Sequence, residues 1–221
     1  MRPTIGVGVS LSIVALAFLG PATASGALLD LNRLHYPLVY AGAIQVDYYP
    51  NAGSTGEGLL TGVKSVTNPL VTVQLTDSDP GTTYMGSFSL QLEVVSGGAD
   101  DGMIVAGGSH QLRVAYKPTP MSPEQVAFYS TTPLAFGYGP EDKFEFKFLQ
   151  QGTTPLADDG ETVAVILPAN SIPNFSYPSF GSEFHNNANG ESNTFLLPEP
   201  GTCALMALGV MAALRRRRSR R

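Results

Sequence analysis

The sequence predicts an all-β domain, an antiparallel two-sheet sandwich with a jelly-roll-like arrangement. The first observation is a period-two alternation of apolar and polar residues, which indicates strands with one buried and one solvated face. The second is that Gly, Asn, Asp or Pro clusters separate these segments, as turns separate the strands of a sandwich. The third is composition: 14% charged residues, 24 Gly and no Trp favour an exported β-protein over a helical one.

Residues 1–24 have the organisation of a secretory signal peptide, which we expect to be helical. Arg2 supplies a positive charge, the run from Ile5 to Leu19 is uncharged, and two helix breakers follow it. Ala22 and Ala24 then form the small-x-small pattern that signal peptidase reads. An N-terminal membrane anchor is the alternative, but the apolar run is short for one. We predict cleavage after Ala24, with Ala27 as the second choice.

The exported body, residues 25–184, contains the predicted strands. The most regular alternation lies in Leu70 to Leu75, Phe88 to Val94 and Phe144 to Phe148. Further strand candidates are Val39 to Tyr49, His110 to Tyr116 and Val163 to Leu167. For the carboxylates in strand segments we predict solvent-facing positions. These are Asp47, Glu93 and Glu145.

Two local features interrupt the strand pattern. Ala-Asp-Asp-Gly occurs at 99–102 and again at 157–160, each time after a strand that begins with Phe. Asp-Gly is a favoured hairpin turn, so turn chemistry or duplication of a strand–turn–strand unit explains the repeat, and the sequence leaves both open. At 122–125, Ser-Pro-Glu-Gln predicts one short helical turn with Ser122 as its N-cap.

The end of the body is rich in Asn, Ser and Pro. Ile172 to Phe184 carries aromatic residues that would be unfavourable in water, so we expect this segment to lie against the body. Residues 185–197 have the polar composition of a flexible spacer. We therefore predict four parts: a signal peptide (1–24), a β-sandwich domain (25–184), a spacer (185–197) and a terminal segment (198–221).

The terminal segment combines an apolar run with arginines. Gly201 to Leu214 is uncharged, and as a helix of 14 residues it would span roughly 21 Å. A hydrocarbon core is about 30 Å thick, so this membrane-anchor helix needs help from arginine stems that reach the interface. Arginines after the run stay cytoplasmic, which places Pro198-Glu199-Pro200 on the outer side and agrees with export of the body.

Pro198-Glu199-Pro200, the short apolar run and the arginine block, in this order, resemble the bacterial PEP-CTERM sorting signal. The resemblance covers residues 197–221 only. It implies processing by an exosortase, a membrane-embedded cysteine protease, in a Gram-negative-type envelope often surrounded by exopolysaccharide or biofilm. It also implies that Pro198, Glu199 and Pro200 are the recognition element and that the apolar helix is a temporary anchor. The arginines would be the cytoplasmic stop: Arg215, Arg216, Arg217 and Arg218.

The charge of the body restricts its partners. The chain has 13 basic and 18 acidic residues, but Arg2 and six tail arginines belong to the sorting segments. Without them the formal charge is about −12, which disfavours nucleic acid because phosphates would be repelled. The only cysteine, Cys203, lies in the tail, so no disulfide can stabilise the body.

We expect no catalytic residues, no cofactor and no metal site. The three histidines, at 35, 110 and 185, lack the spacing of zinc ligands. Asp77 and Asp79 place alternate oxygens before Gly81, as calcium loops do. Pro80 and the absence of a distal Glu favour a plain turn, which leaves Asp77 and Asp79 as a weak calcium candidate.

These features predict an exported protein of the cell envelope or extracellular matrix with a non-enzymatic structural or interaction role. Its expected partners are signal peptidase, an exosortase and the membrane, which it meets through the C-terminal helix. The alternative is a carbohydrate-binding module, or less favourably a hydrolase, with exopolysaccharide as its ligand. For that alternative the most suitable ring platforms are Tyr48, Tyr49 and Tyr138.

Overall fold

The structure is a computed structural model that describes residues 28–29, 35–139, 143–168 and 180–197. These residues form ten strands, all paired antiparallel, and no helix, so the all-β antiparallel prediction is confirmed. The predicted signal and anchor helices lie outside the described residues. The strands are β1 (His35–Tyr49), β2 (Gly58–Lys64), β3 (Leu70–Gln74), β4 (Thr82–Val94), β5 (Gln111–Lys117), β6 (Gln125–Ser130), β7 (Thr132–Gly139), β8 (Lys143–Leu149), β9 (Thr162–Pro168) and β10 (Phe184–Leu197).

The sheet folds back on itself. Its strand order is β6-β5-β4-β2-β1-β10-β9-β8-β7, with β3 paired to β1 and β4. Only Thr131 separates β6 from β7, and one residue spans at most about 3.6 Å, so the two ends of this order lie together. Gln150 and Gln151 cover the outer edge of β6: Tyr129 N donates to Gln150 Oε1 at 3.1 Å, and Gln151 N donates to Tyr129 O at 2.9 Å.

The enclosed face forms one apolar core shared by both halves of the sheet. The three phenylalanines of β8 are fully buried there, as the alternation predicts: Phe144, Phe146 and Phe148. Phe136 of β7 stacks on Phe146 with ring centroids 4.9 Å apart. Leu167 of β9, the neighbour of β8, reaches β2 in the other half of the sheet, where a Cβ on Gly62 would lie 2.9 Å from it.

A second, smaller apolar cluster lies on the outer face of β9 and β10. It consists of Leu29, Ala164, Ile166 and Phe195, with Leu28, Leu38 and Leu197 packed against it. Leu28 and Leu29 come from the start of the chain, and they cover a face that period-two alternation predicts to be solvated. A segment distant in sequence has therefore turned part of an outer face into core.

Residues 185–197 are not the predicted flexible spacer, because they form most of β10. The β domain therefore extends to Leu197 rather than ending at residue 184. β10 pairs with β1 along one edge and with β9 along the other, so it is an interior strand of the sheet. Ser192 and Thr194 point inward and are buried, and Phe195 is fully buried. The polar composition concealed the strand because the two neighbouring strands, rather than its own side chains, stabilise it.

The predicted helical turn at Ser122 is also wrong. Ser122 Oγ accepts a hydrogen bond from Thr119 N at 2.8 Å, and Ser122 N donates to Thr119 O at 3.1 Å, which closes a tight turn. β6 then begins at Gln125 because this segment pairs with β5. Glu124 forms an ion pair with Arg113 of β5 at 2.6 Å, and Gln125, the last residue of the predicted turn, pairs with Tyr116 of β5.

The two Ala-Asp-Asp-Gly segments form the same turn; we call 99–102 the first turn and 157–160 the second. In each, the carbonyl of the first Asp accepts a hydrogen bond from the residue after Gly, at 2.9 Å and 3.3 Å respectively. The glycine has φ of 82° in the first turn and 85° in the second, as the third position of a type II turn requires. Turn chemistry and duplication both account for this shared geometry.

Candidate functional site

The residues assigned to sorting and processing lie outside the described residues. They are Ala22, Ala24, Pro198, Glu199, Pro200 and Arg215 to Arg218. The described residues nearest to them are Leu28 and Leu29 at one end and Leu197, the last residue of β10, at the other. These three residues are the described ones that lie nearest in sequence to the segments predicted to be processed.

The weak calcium candidate has its oxygens committed to a turn. Asp79 accepts hydrogen bonds from Leu75 N at 3.0 Å and from Gly81 N at 2.9 Å, one on each oxygen. These two bonds lower the pKa of Asp79. Asp77 Oδ1 accepts from Tyr36 Oη at 3.1 Å. Three of the four carboxylate oxygens therefore accept hydrogen bonds from the backbone or from a tyrosine.

Among residues 28–29, 35–139, 143–168 and 180–197, no group of three His, Cys, Asp or Glu side chains is placed to hold a metal ion. Within the same ranges no helix has the length and apolar character that a bilayer crossing requires.

Glu93 of β4 is fully buried, contrary to the predicted solvent-facing position. Its Oε1 accepts from Ser54 N at 2.7 Å and from Ser54 Oγ at 2.5 Å, and its Oε2 accepts from Thr55 Oγ1 at 2.8 Å. Burial acts to raise the pKa of Glu93, but hydrogen bonds from Ser54, Ser109 and Thr55 outweigh it and lower the pKa to about 2. The carboxylate is a structural anion that fastens the loop before β2.

A second loop, between β4 and β5, also contacts Glu93. Glu93 N donates to His110 Nδ1 at 3.3 Å, and His110 Nε2 lies 3.0 Å from Val105 O. These contacts set the neutral tautomer that carries its proton on Nε2. A Cβ on Gly53 or Gly108 would lie about 3 Å from Glu93 atoms, so both loops approach as closely as glycine allows. The sequence signal for this site was the Gly-Ser-Thr-Gly stretch at 53–56, whose small residues suit anion binding.

Glu145 of β8 is 1% exposed and is the second correction to the predicted solvent-facing carboxylates. Its Oε2 accepts hydrogen bonds from Leu28 N at 2.5 Å and from Leu29 N at 3.0 Å. Leu28 also packs on the edge strand β7, where a Cβ on Gly137 would lie 2.9 Å from Leu28 Cγ. Glu145 thus holds the start of the described chain against the outer face of the sheet.

Asp47, the third of these carboxylates, is 8% exposed and belongs to a polar row at the surface. Asp47 Oδ1 lies 2.9 Å from His185 Nδ1, and Glu183 Oε1 lies 2.6 Å from His185 Nε2. Gln45 Nε2 donates to the other oxygen of Asp47 at 2.7 Å. A neutral imidazole could donate to only one of the two carboxylates, and the bonds to Asp47 and then Glu183 raise the pKa of His185.

The polar row is an ion-pair cluster centred on His185. Both ring nitrogens of His185 are occupied by carboxylates, so neither can act as the base for a neighbouring hydroxyl. Tyr49 lies beside His185 with ring centroids 5.2 Å apart and is 37% exposed. The cluster fastens β10 to β1 and offers one partly exposed ring.

The predicted ring platform is not assembled as expected. Tyr48 is fully buried, and its hydroxyl donates to Phe180 O at 2.5 Å. Tyr48 points inward because adjacent strand residues face opposite ways, so it and Tyr49 cannot share one surface. The side chain of Tyr138 lies outside those that the structure describes.

Comparison with protein-family models, with curated proteins and with solved structures finds no match to this chain.

Proposed function

We propose that the protein is exported and sorted to the cell envelope or extracellular matrix, where its β domain has a non-enzymatic structural or interaction role. The observation that carries this proposal is the order of three sequence features at the C-terminus: Pro198-Glu199-Pro200, an uncharged run and an arginine block. The signal-peptide pattern at the N-terminus predicts the same topology independently. Signal peptidase and an exosortase are the processing partners.

The finer architecture is part of the proposal. The domain is a two-sheet sandwich of jelly-roll-like form, in which the strand order bends so that β6 and β7 meet. The one-residue link at Thr131 and the single core shared by β2 and β9 support it. The signal and anchor segments are helices outside this domain.

The non-enzymatic part is supported by how the buried carboxylates are used. Glu93 and Glu145 accept hydrogen bonds from backbone and hydroxyl donors of the protein itself, and Asp47 is paired with His185. A glycosidase needs two carboxyl groups facing each other across a cleft, with room for sugar between them. The three carboxylates instead connect loops and strands of the body, which is the use expected in a structural domain.

The position of β10 adds a consequence for sorting. Leu197 ends β10, and Pro198 follows it directly in the sequence. A processing enzyme at the Pro-Glu-Pro triplet would therefore work one residue from an interior strand. Because β10 pairs on both edges, the tail is attached to the middle of the sheet and the body can be displayed close to the membrane.

Replacement of the arginine block tests the proposal. The full chain is expressed in a Gram-negative host with and without an exosortase, and its location and terminal masses are measured. Arg215 to Arg218 changed to Ser should shift the precursor from the membrane fraction to the soluble fraction. In the host with the exosortase, the unaltered chain should lose its terminal arginines.

The matched control changes Arg33, Arg113, Lys117 and Lys147 to Ser, which removes the same number of charges from the body. It should leave fractionation unchanged. A precursor that fractionates identically with and without the arginine block, and that keeps its full C-terminal mass beside the exosortase, contradicts the proposal.

A further inference from the structure

Glu145 places a buried carboxylate against the backbone nitrogen of Leu28. Glu145 is almost completely buried on the outer face of β8, and its Oε2 accepts hydrogen bonds from the backbone nitrogens of Leu28 and Leu29. Leu28 and Leu29 are held in place by apolar packing against Gly137 and the cluster around Phe195. The nitrogen of Leu28 is therefore positioned at a buried carboxylate.

A buried carboxylate is costly without a cation or a full set of donors. Glu93 shows how this chain satisfies one with donors, since Ser54 and Thr55 together supply both backbone and hydroxyl groups to its two oxygens. Among the described residues, Glu145 has fewer donors: two backbone nitrogens, which share a single oxygen. Within the described ranges no Lys, Arg or His side chain forms an ion pair with Glu145.

The sequence before Leu28 supplies a cation. Ser25-Gly26-Ala27 is a second small-x-small pattern, which would direct signal peptidase to the bond between Ala27 and Leu28. Water adds across that peptide bond, leaving a carboxylate on Ala27 and an α-ammonium group on Leu28. An α-amino group has a pKa of about 7.7–8.0, so it is mostly charged at neutral pH.

We propose that signal peptidase cuts after Ala27 and that the new α-ammonium group of Leu28 is the cationic partner of Glu145. Before cleavage the same nitrogen is a neutral amide, and the carboxylate is stabilised by amide hydrogen bonds alone. Removal of the signal peptide therefore adds an ion pair at a buried site and stabilises the mature body. The inference rests on export as proposed above and replaces the predicted cut after Ala24.

N-terminal sequencing of the exported full chain, expressed with its own signal peptide, is the first measurement. The expected first residue is Leu28. Ala24→Leu, which blocks a cut after residue 24, should leave that N-terminus unchanged. Ala27→Leu should move it to Ser25. An unaltered chain that begins at Ser25 overturns the inference while export stands, whereas a chain that is neither cleaved nor exported contradicts the proposed function instead.

A pair of melts then tests the ion pair. In protein that begins at Leu28, Glu145→Gln should lower the Tm by roughly 6–12 °C, as expected for loss of one partner of a buried pair in a domain of this size. In Ala27→Leu protein that begins at Ser25, Glu145→Gln should lower the Tm by less than half as much. There the nitrogen of Leu28 is an amide, and Gln can still accept its hydrogen bond. An equal decrease in Tm in both proteins would overturn the proposal that Leu28 and Glu145 form an ion pair.

A labelling measurement needs no substitution at Glu145. The α-amino group of the exported protein is allowed to react with an amine-directed acetylating reagent at pH 8, and the modified residue is located by mass spectrometry. An α-amino group at Leu28 should react at least tenfold more slowly than the α-amino group of the chain that begins at Ser25. Equal rates would overturn the burial of the ammonium group beside Glu145.

Discussion

The first and second turns have the same four residues and the same backbone hydrogen bonds, yet their surroundings differ. Phe180 lies over the first turn: Phe180 N donates to Asp101 Oδ2 at 3.0 Å, and a Cβ on Gly102 would lie 2.8 Å from the Phe180 ring. At the second turn, a Cβ on Gly160 would meet no atom within 4 Å. Local sequence therefore specifies the shape of a turn. The segment that covers the turn decides how strongly the stability of the domain depends on the turn residues.

Removal of the covering residue should have the largest effect. Phe180 is 1% exposed and contacts the rings of Tyr48 and Phe136, with its ring edge-on to Tyr48 at 5.0 Å. Phe180→Ala removes these contacts and leaves a cavity, so we expect a loss of about 3–5 kcal/mol in the free energy of unfolding, measured by urea denaturation. Leu134→Ala, at an exposed residue of β7, is the control and should change it by about 0.5 kcal/mol or less.

Alanine substitutions at Gly102 and Gly160 should lower the free energy of unfolding by different amounts, because the first turn is covered by Phe180 and the second is open. Both glycines have positive φ, which costs Ala about 1–2 kcal/mol. Gly160→Ala should show that cost alone, whereas Gly102→Ala must also displace the buried Phe180 ring, for a total of about 2–5 kcal/mol. Urea denaturation of both variants measures the difference.

The same pair measured in the Phe180→Ala background sharpens the comparison. Without the ring, Gly102→Ala should cost no more than Gly160→Ala, because only the positive φ remains. If the difference between the two glycines persists in that background, Phe180 is not its cause.

Two carboxylates that accept backbone hydrogen bonds extend the comparison to acid stability. The pKa of Glu93 falls from 4.5 to about 2 on folding, so its contribution is present above about pH 4.5 and is lost as the pH falls towards 2. Glu93→Gln should flatten the decline of Tm between pH 4.5 and 2. Asp79→Asn removes a carboxylate in an exposed turn, where solvent screens the interaction, and should flatten it less. If Asp79→Asn flattens the decline of Tm more than Glu93→Gln does, burial of the carboxylate is not what makes its contribution to acid stability large.

β8 shows how far periodicity can predict. Alternation placed Phe144, Phe146 and Phe148 on the core side, and they are fully buried. The same alternation placed Glu145 in water, where it would be if only the sheet existed. Leu28 and Leu29 lie more than 100 residues away in sequence and cover that position, so no local pattern could have indicated its burial.

β10 shows a different limit. Its composition predicts a spacer because Asn and Gly are poor strand formers. The structure pairs them with β1 and β9 on both sides, and those backbone hydrogen bonds do not depend on side-chain identity. Tyr48 is a different case, because the period-two alternation of β1 itself directs its ring into the core, away from Tyr49.

The sequence by itself determined the all-β class, the core face of β8 and the shape of both Ala-Asp-Asp-Gly turns. These properties depend on neighbours within a few residues, which fix backbone conformation and side-chain period. Tertiary structure alone decided that Glu93, Glu145 and Asp47 are buried and that Phe180 covers one turn and not the other. Those outcomes depend on contacts between distant segments, and burial of a polar group is favourable only when a distant segment supplies its hydrogen-bond partner.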